Sequence, residues 1–156
     1  MRISARADYA VRAAAELAAA DQDDPVRAET LARAQDIPHR FLEGILSDLR
    51  RDGLVTSHRG AGGGYRLARA AETITVADVV RAVDGPLVFV RGNRPPDLEF
   101  QGPAAPLLHV WVALRANVRA VLEAVSLADL AAGTLPDDVR ALTDGDAAWS
   151  NSYGSV

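Results

Sequence analysis

Every basic residue in this 156-residue chain is an arginine; the 17 Lys+Arg positions include no lysine. A GC-rich coding sequence would produce the same bias. Even so, the planar guanidinium carries a fixed fork of donors that matches phosphate oxygens and the guanine edge. Between residues 53 and 71 stand Arg59, Arg66 and Arg69, with no acid among them. Arg59 opens the run Arg59-Gly-Ala-Gly-Gly-Gly64. Glycines there let the backbone approach a ligand closely, and an arginine at the base of such a run can neutralise phosphate. Ser57, His58 and Tyr65 flank the run and add hydroxyl or ring N–H donors. The chemistry on offer is capture of an anion by non-covalent bonds.

Other chemistries are missing their parts. The chain has no cysteine, so disulfides and thiolate-held zinc or iron–sulfur sites are excluded. His39, His58 and His109 are scattered and form no Ser/His/acid grouping. The glycine run lacks the Gly-Lys-Ser/Thr ending of a phosphate loop and falls between strands instead of before a helix. We expect no catalytic activity.

The elements that must position these residues follow from periodicity. Residues 4–20 carry an apolar stripe, Ile3, Ala7, Ala10, Val11, Ala14, Leu17 and Ala18, at helical spacing, with Ser4 as N-cap and Asp8 as a surface acid. A second short helix spans 28–35, followed by a tight turn at Asp36, which tolerates an unusual backbone angle. The helix after it runs from Pro38 to about Asp52, burying Phe41, Leu42, Ile45, Leu46 and Leu49 and stopping at Gly53. Residues 54–58 and 65–69 are β-prone and read as a hairpin around the glycine run, with Tyr65 packing toward the core. Ile74-Thr-Val-Ala-Asp78 opens a further helix, with Thr75 and Asp78 as a capping box and Ile74 stapled to Val79.

Residues 91–106 form a long Pro/Gly-rich loop. Beyond it Leu107, Trp111, Leu114, Val118, Val121 and Val125 step by 4, 3, 4, 3 and 4, a coiled-coil seam. Leu108, Val110, Val112 and Leu122 widen that apolar surface, so this helix must touch its own domain and something else. Ser126 opens a short helix to about Ala132 and Pro136 a last one; 143–156 reads as a disordered tail.

Helix, helix, tight turn, helix and a glycine-rich hairpin, in that order, suit duplex DNA. The major groove admits one helix, and the hairpin reaches a neighbouring phosphate run. Residues 38–52 are then the recognition helix, with His39, Arg40, Glu43, Gly44 and Ser47 toward the groove. Arg40 is the expected base or phosphate contact, His39 its support and Arg59 the wing contact. Ser4, Arg6, Arg27 and Thr30 at the helix starts would anchor the backbone, and Arg50 and Arg51 suit the helix dipole. The net charge of −4 opposes a nucleic-acid reading, but its distribution does not: residues 1–70 hold 11 arginines against 10 acids, and residues 71–156 hold 6 against 11. No run of ~18 apolar residues suggests a membrane span. An acid stands where a signal peptide would be apolar, so a cytoplasmic location is expected.

The chain also resembles the Rrf2-type family of bacterial winged helix-turn-helix regulators, which includes IscR-, NsrR- and CymR-like proteins. The resemblance lies in Ser4-Ala-Arg-Ala-Asp-Tyr-Ala-Val-Arg-Ala, Ile37 to Val55, the wing Ser57-His-Arg-Gly-Ala-Gly-Gly-Gly-Tyr-Arg-Leu-Ala, and Ile74 to Gly85. It implies a mainly α fold with a small β-wing: DNA-binding domain 1–85, sensor-position loop 86–106, helical dimerisation region 107–142 and tail 143–156. It implies a homodimer acting on a near-palindromic operator, as a repressor. Many members hold an iron–sulfur cluster through three cysteines in the loop; none stands here, so no cofactor is expected. A small-molecule or protein effector stays open, with Phe89, Phe100 and Trp111 either lining a small pocket or packing in the dimer. A winged helix that binds protein instead of DNA is the alternative.

Overall fold

A computed structural model describes residues 2–150 and shows a mostly helical chain with one two-stranded antiparallel sheet. The central helix is α1 (Ala5–Ala19), capped by the Ser4 hydroxyl, which accepts from the Ala7 N–H at 2.9 Å. Its inner side is Ala7, Ala10, Ala13, Ala14 and Leu17, all buried. Methyl side chains there let neighbouring helices approach closely. Ile3, expected on the same stripe, precedes the helix and is 61% exposed.

α2 (Ala28–Ala34) and α3 (His39–Arg51) follow, joined by a turn in which Asp36 takes φ 50°. α3 buries Leu42, Ile45, Leu46 and Leu49. Phe41 does not join them and is 40% exposed. At ~100° per residue it lies about a quarter-turn from the middle of that stripe, which puts its ring at the edge of the core. Gly53, at φ 74°, ends the helix. Strand β1 (Val55–His58) then pairs with β2 (Gly64–Leu67), in register Val55↔Leu67 to His58↔Gly64. Val55 and Leu67 face the core. Tyr65 exchanges two backbone bonds of 2.8 Å with Val26, so the segment leading into α2 bridges onto the hairpin.

α4 (Val76–Asp84) begins with the Thr75–Asp78 capping box and ends at Gly85, φ 79°. The loop after it is tightened by 3₁₀ turns at Pro95–Asp97 and Gly102–Ala104, with Pro95 and Leu98 buried. α5 (Leu107–Ala124) buries none of its own residues. The chain then turns back. Val125, expected as the last seam residue, lies outside the helix and is 5% exposed, and its carbonyl accepts from Val76 N–H at 2.9 Å. Leu127 is fully buried and bonds Ile74 at 2.8 Å. α6 (Leu127–Ala132) packs on α1. Residues 125–132, expected in the dimerisation region, therefore complete the core of the N-terminal unit.

α7 (Asp137–Ala141) and α8 (Asp146–Trp149) close the described chain. The tail expected to lack order is thus partly helical; its last six positions, 151–156, lie outside the described residues. Among the described residues no helix is long and apolar enough to cross a membrane.

Candidate nucleic-acid interface

The outer side of α3 presents His39, Arg40, Glu43, Ser47 and Arg50, all exposed. They recur at the spacing of one helix face, opposite the leucine stripe that fixes the helix to the core. Two carboxylates flank His39: Glu29 and Glu43 each lie 3.8 Å from one ring nitrogen. Glu43 is open to solvent, and a carboxylate there can accept from a cytosine amino group.

Beside this helix the wing forms a cleft of about 380 Å³. Arg27, Arg50 and Arg59 stand around it with Ser57, His58 and Tyr65, and Glu29 closes one side. Arg27 donates to the Ala61 carbonyl at 2.6 Å, tying the start of α2 to the wing tip. Arg50 donates to the Ser57 hydroxyl at 3.2 Å, tying the end of α3 to the first strand. Tyr65 is half-buried and packs on the core. Thr30 is exposed one turn further along α2 and does not line the cleft.

The position of Arg50 near the end of α3 suits it to the helix dipole. The structure also brings it into the cleft. The signal was present in the spacing, since 39, 43, 47 and 50 share one face. Ser4 and Arg6, expected as backbone anchors, are engaged inside the protein. The Ser4 hydroxyl caps α1 and also donates to Asp84 at 2.5 Å. Arg6 lies beneath Gly44, its guanidinium 3.6 Å from where a Cβ would stand, and pairs with Asp48. Asp48 also meets Arg51 at 2.7 Å. The hydrogen bond from Arg6 holds the Asp48 carboxyl below its usual range, outweighing its partial burial, with Arg51 adding to the effect. Arg6 therefore ties α1 to α3.

The arginines differ in whether they meet a carboxylate. Arg6, Arg12, Arg51, Arg69, Arg81, Arg94, Arg119 and Arg140 each meet a carboxylate. Among the described residues Arg27, Arg40, Arg50, Arg59 and Arg66 meet none; three of these bond only neutral oxygens. These five belong to α2's start, α3 and the wing; Arg2, Arg33, Arg91 and Arg115, elsewhere in the described chain, are in no ion pair either. The face formed by α3 and the wing thus carries arginines outside ion pairs, with the carboxylates of Glu29 and Glu43 beside His39.

Elsewhere, Phe89 and Trp111 line an open groove of about 440 Å³ with Arg2, Leu87, Val88, Val90 and Leu114. Phe100 is not part of it; Arg91 covers its ring at 5.7 Å.

A helix-turn-helix followed by an antiparallel hairpin with unpaired arginines defines a winged-helix DNA-binding protein. Comparison with known proteins agrees. Residues 3–133 match the Rrf2 family, described as an iron-dependent transcriptional regulator. A Mycobacterium tuberculosis protein named as an HTH-type transcriptional regulator is 52% identical over 144 residues, 92% of this chain and 89% of the relative. CymR of Bacillus subtilis, an HTH-type transcriptional regulator, is 35% identical over 134 residues, 86% of this chain and 92% of the relative. Its solved structure, titled as the global cysteine regulator, superposes with a TM-score of 0.73 at 34% identity, covering 86% of this chain and 98% of that one. The IscR structure from T. potens gives 0.69 at 32% identity, covering 85% and 88%.

The chain belongs to the Rrf2 family. It is a DNA-binding transcription regulator and not an enzyme. The family description mentions iron, and the residues present do not suit an iron–sulfur cluster. Such clusters are held by thiolates, and the chain has no cysteine. In the loop before α5, Asp97 is bound to Arg94 at 2.8 Å. Among the described residues no three metal-binding side chains gather.

Proposed function

We propose that the protein acts as a homodimer that represses transcription from a near-palindromic operator. The observation that carries the DNA contact is the arginine face. Arg40, Arg50 and Arg59 stand without carboxylates on the two elements able to reach adjacent parts of a duplex. On this reading α3 enters the major groove, Arg40 and Glu43 face base edges, and Arg27, Arg50 and Arg59 hold phosphates on either side. Ser47, Ser57 and His58 add donors, and Thr30 contacts the backbone from α2.

The second copy is supported by α5. None of its residues is buried, and Val110 and Val112 are 55% and 36% exposed. Trp111, Leu114, Val118 and Val121 lie along the same helix, and Leu107 at its start. These seam residues are half-buried, and the apolar surface they and the exposed valines leave open fits pairing with a second copy. A dimer reading two half-sites one helical turn (~34–36 Å) apart would cover promoter DNA and block polymerase by occupancy. In this reading no cluster senses the signal; a ligand in the Phe89–Trp111 groove, or a partner protein, takes that role.

The test is affinity for duplex DNA across a salt series. Phosphate contacts release counterions, so log K should fall linearly with log salt, with a slope of about −0.9 per phosphate neutralised. Flat affinity across the series would remove the arginine face from the account.

A further inference from the structure

The ring expected in the core lies at the surface as one layer of a stack. One flank of Phe41 packs tilted against Tyr9 of α1, with ring centroids 6.0 Å apart and planes at 46°. The Arg40 guanidinium carbon lies 5.0 Å from the centre of the Phe41 ring. Tyr9 is covered in turn by Arg12 at 4.9 Å. Arg12 is itself anchored, paired with Asp8 at 3.0 Å and donating to the Gln35 carbonyl at 2.7 Å. The order Arg12, Tyr9, Phe41, Arg40 runs from the middle of α1 to the head of α3.

The two ends of this stack differ. Arg12 is locked to the body of the protein. Arg40 makes no hydrogen bond or ion pair among the described residues, and the Phe41 ring is its only partner there. A guanidinium over an aromatic face is attracted by the ring's quadrupole. It keeps all its N–H donors free, because the face engages none of them. An arginine without a carboxylate would otherwise sample many rotamers, and DNA binding would have to order it. A side chain already ordered in the free protein avoids that loss.

We propose that Phe41 is a positioning residue for Arg40: its ring holds the guanidinium at the mouth of the groove before DNA arrives. The proposal rests on the reading of α3 as the groove helix. It assigns Phe41 no contact with DNA of its own.

Phe41→Leu keeps apolar bulk against Tyr9 and removes the quadrupole; Phe41→Tyr keeps both. The probe is a duplex that the wild-type protein enriches from a random-sequence pool at low salt. Phe41→Leu should bind it about two- to fivefold more weakly, Phe41→Tyr should match wild type, and Phe41→Leu should cost nothing further in an Arg40→Ala background. Equal binding by Phe41→Leu and wild type, or a loss that persists in the Arg40→Ala background, would overturn the proposal. Without DNA, the Arg40 side-chain protons should show an upfield ring shift by NMR that Phe41→Leu abolishes; unshifted protons in the wild type would also overturn it. If the wild type enriches no duplex, the groove reading fails and takes the proposal with it, whatever the NMR shows. That outcome is distinct from a duplex bound equally well by both proteins.

Discussion

Arginine side chains do two different jobs in this protein, and the neighbouring carboxylate decides which. Arg6, paired with Asp48 under Gly44, fixes α3 to α1. Arg59, at the wing, meets no such partner among the described residues, which leaves its guanidinium open to the proposed phosphate contact. Arg59→Ala should therefore weaken binding to every duplex alike and reduce the salt slope by about one; an unchanged slope in a filter or anisotropy titration would exclude Arg59 from the contact. Glu123 shows the opposite use of charge. Hydrogen bonds from Arg119 and Arg81 hold its carboxyl at about 2, outweighing partial burial. Because the folded value lies below the unfolded one, the stabilisation is present above the ordinary carboxylate range. It is lost between roughly pH 5 and pH 2. Glu123→Gln should lower stability at neutral pH and flatten that acid limb in unfolding curves; an unchanged acid limb would contradict the ion pair. At this scale residue types were legible in the sequence and partners were not. Arg6 and Arg59 look alike until Asp48, 42 positions from Arg6, comes beside one of them. Phe41 was misplaced because stripe membership is ambiguous at the edge of a helix face.

Local signals carried the elements. The Ser4 cap, the turn at Asp36, the stop at Gly53 and the Thr75–Asp78 box all depend on neighbours within a few residues, so periodicity and cap chemistry locate them. The return of residues 125–132 to the core depends on contacts with Ile74 and α1, far away in the chain, and a heptad step simply ran through Val125. The wing offers a sharp test of element geometry. A Cβ on Gly64 would lie 2.5 Å from the Val26 carbonyl oxygen, whereas one on Gly62 would meet nothing within 4 Å. Gly64→Ala must push the hairpin off the start of α2 and should cost about 1–3 kcal/mol in thermal or urea unfolding. Gly62→Ala should be near neutral. Equal stability of the two variants would contradict the Val26–Tyr65 seam.

One copy offers a single recognition helix and wing; in the proposed dimer the half-buried apolar surface of α5 would double them. Replacing Leu114 and Val118 together with Asp should give monomers by light scattering and weak operator binding, since one half-site provides few contacts. A dimer that survives this change would place the interface elsewhere. The most direct measurement is a hydroxyl-radical footprint on a duplex enriched by the protein. Pairing of two copies through α5 predicts two protected patches related by a two-fold axis and centred about one helical turn apart. A single patch, or no protection at low salt, would contradict it.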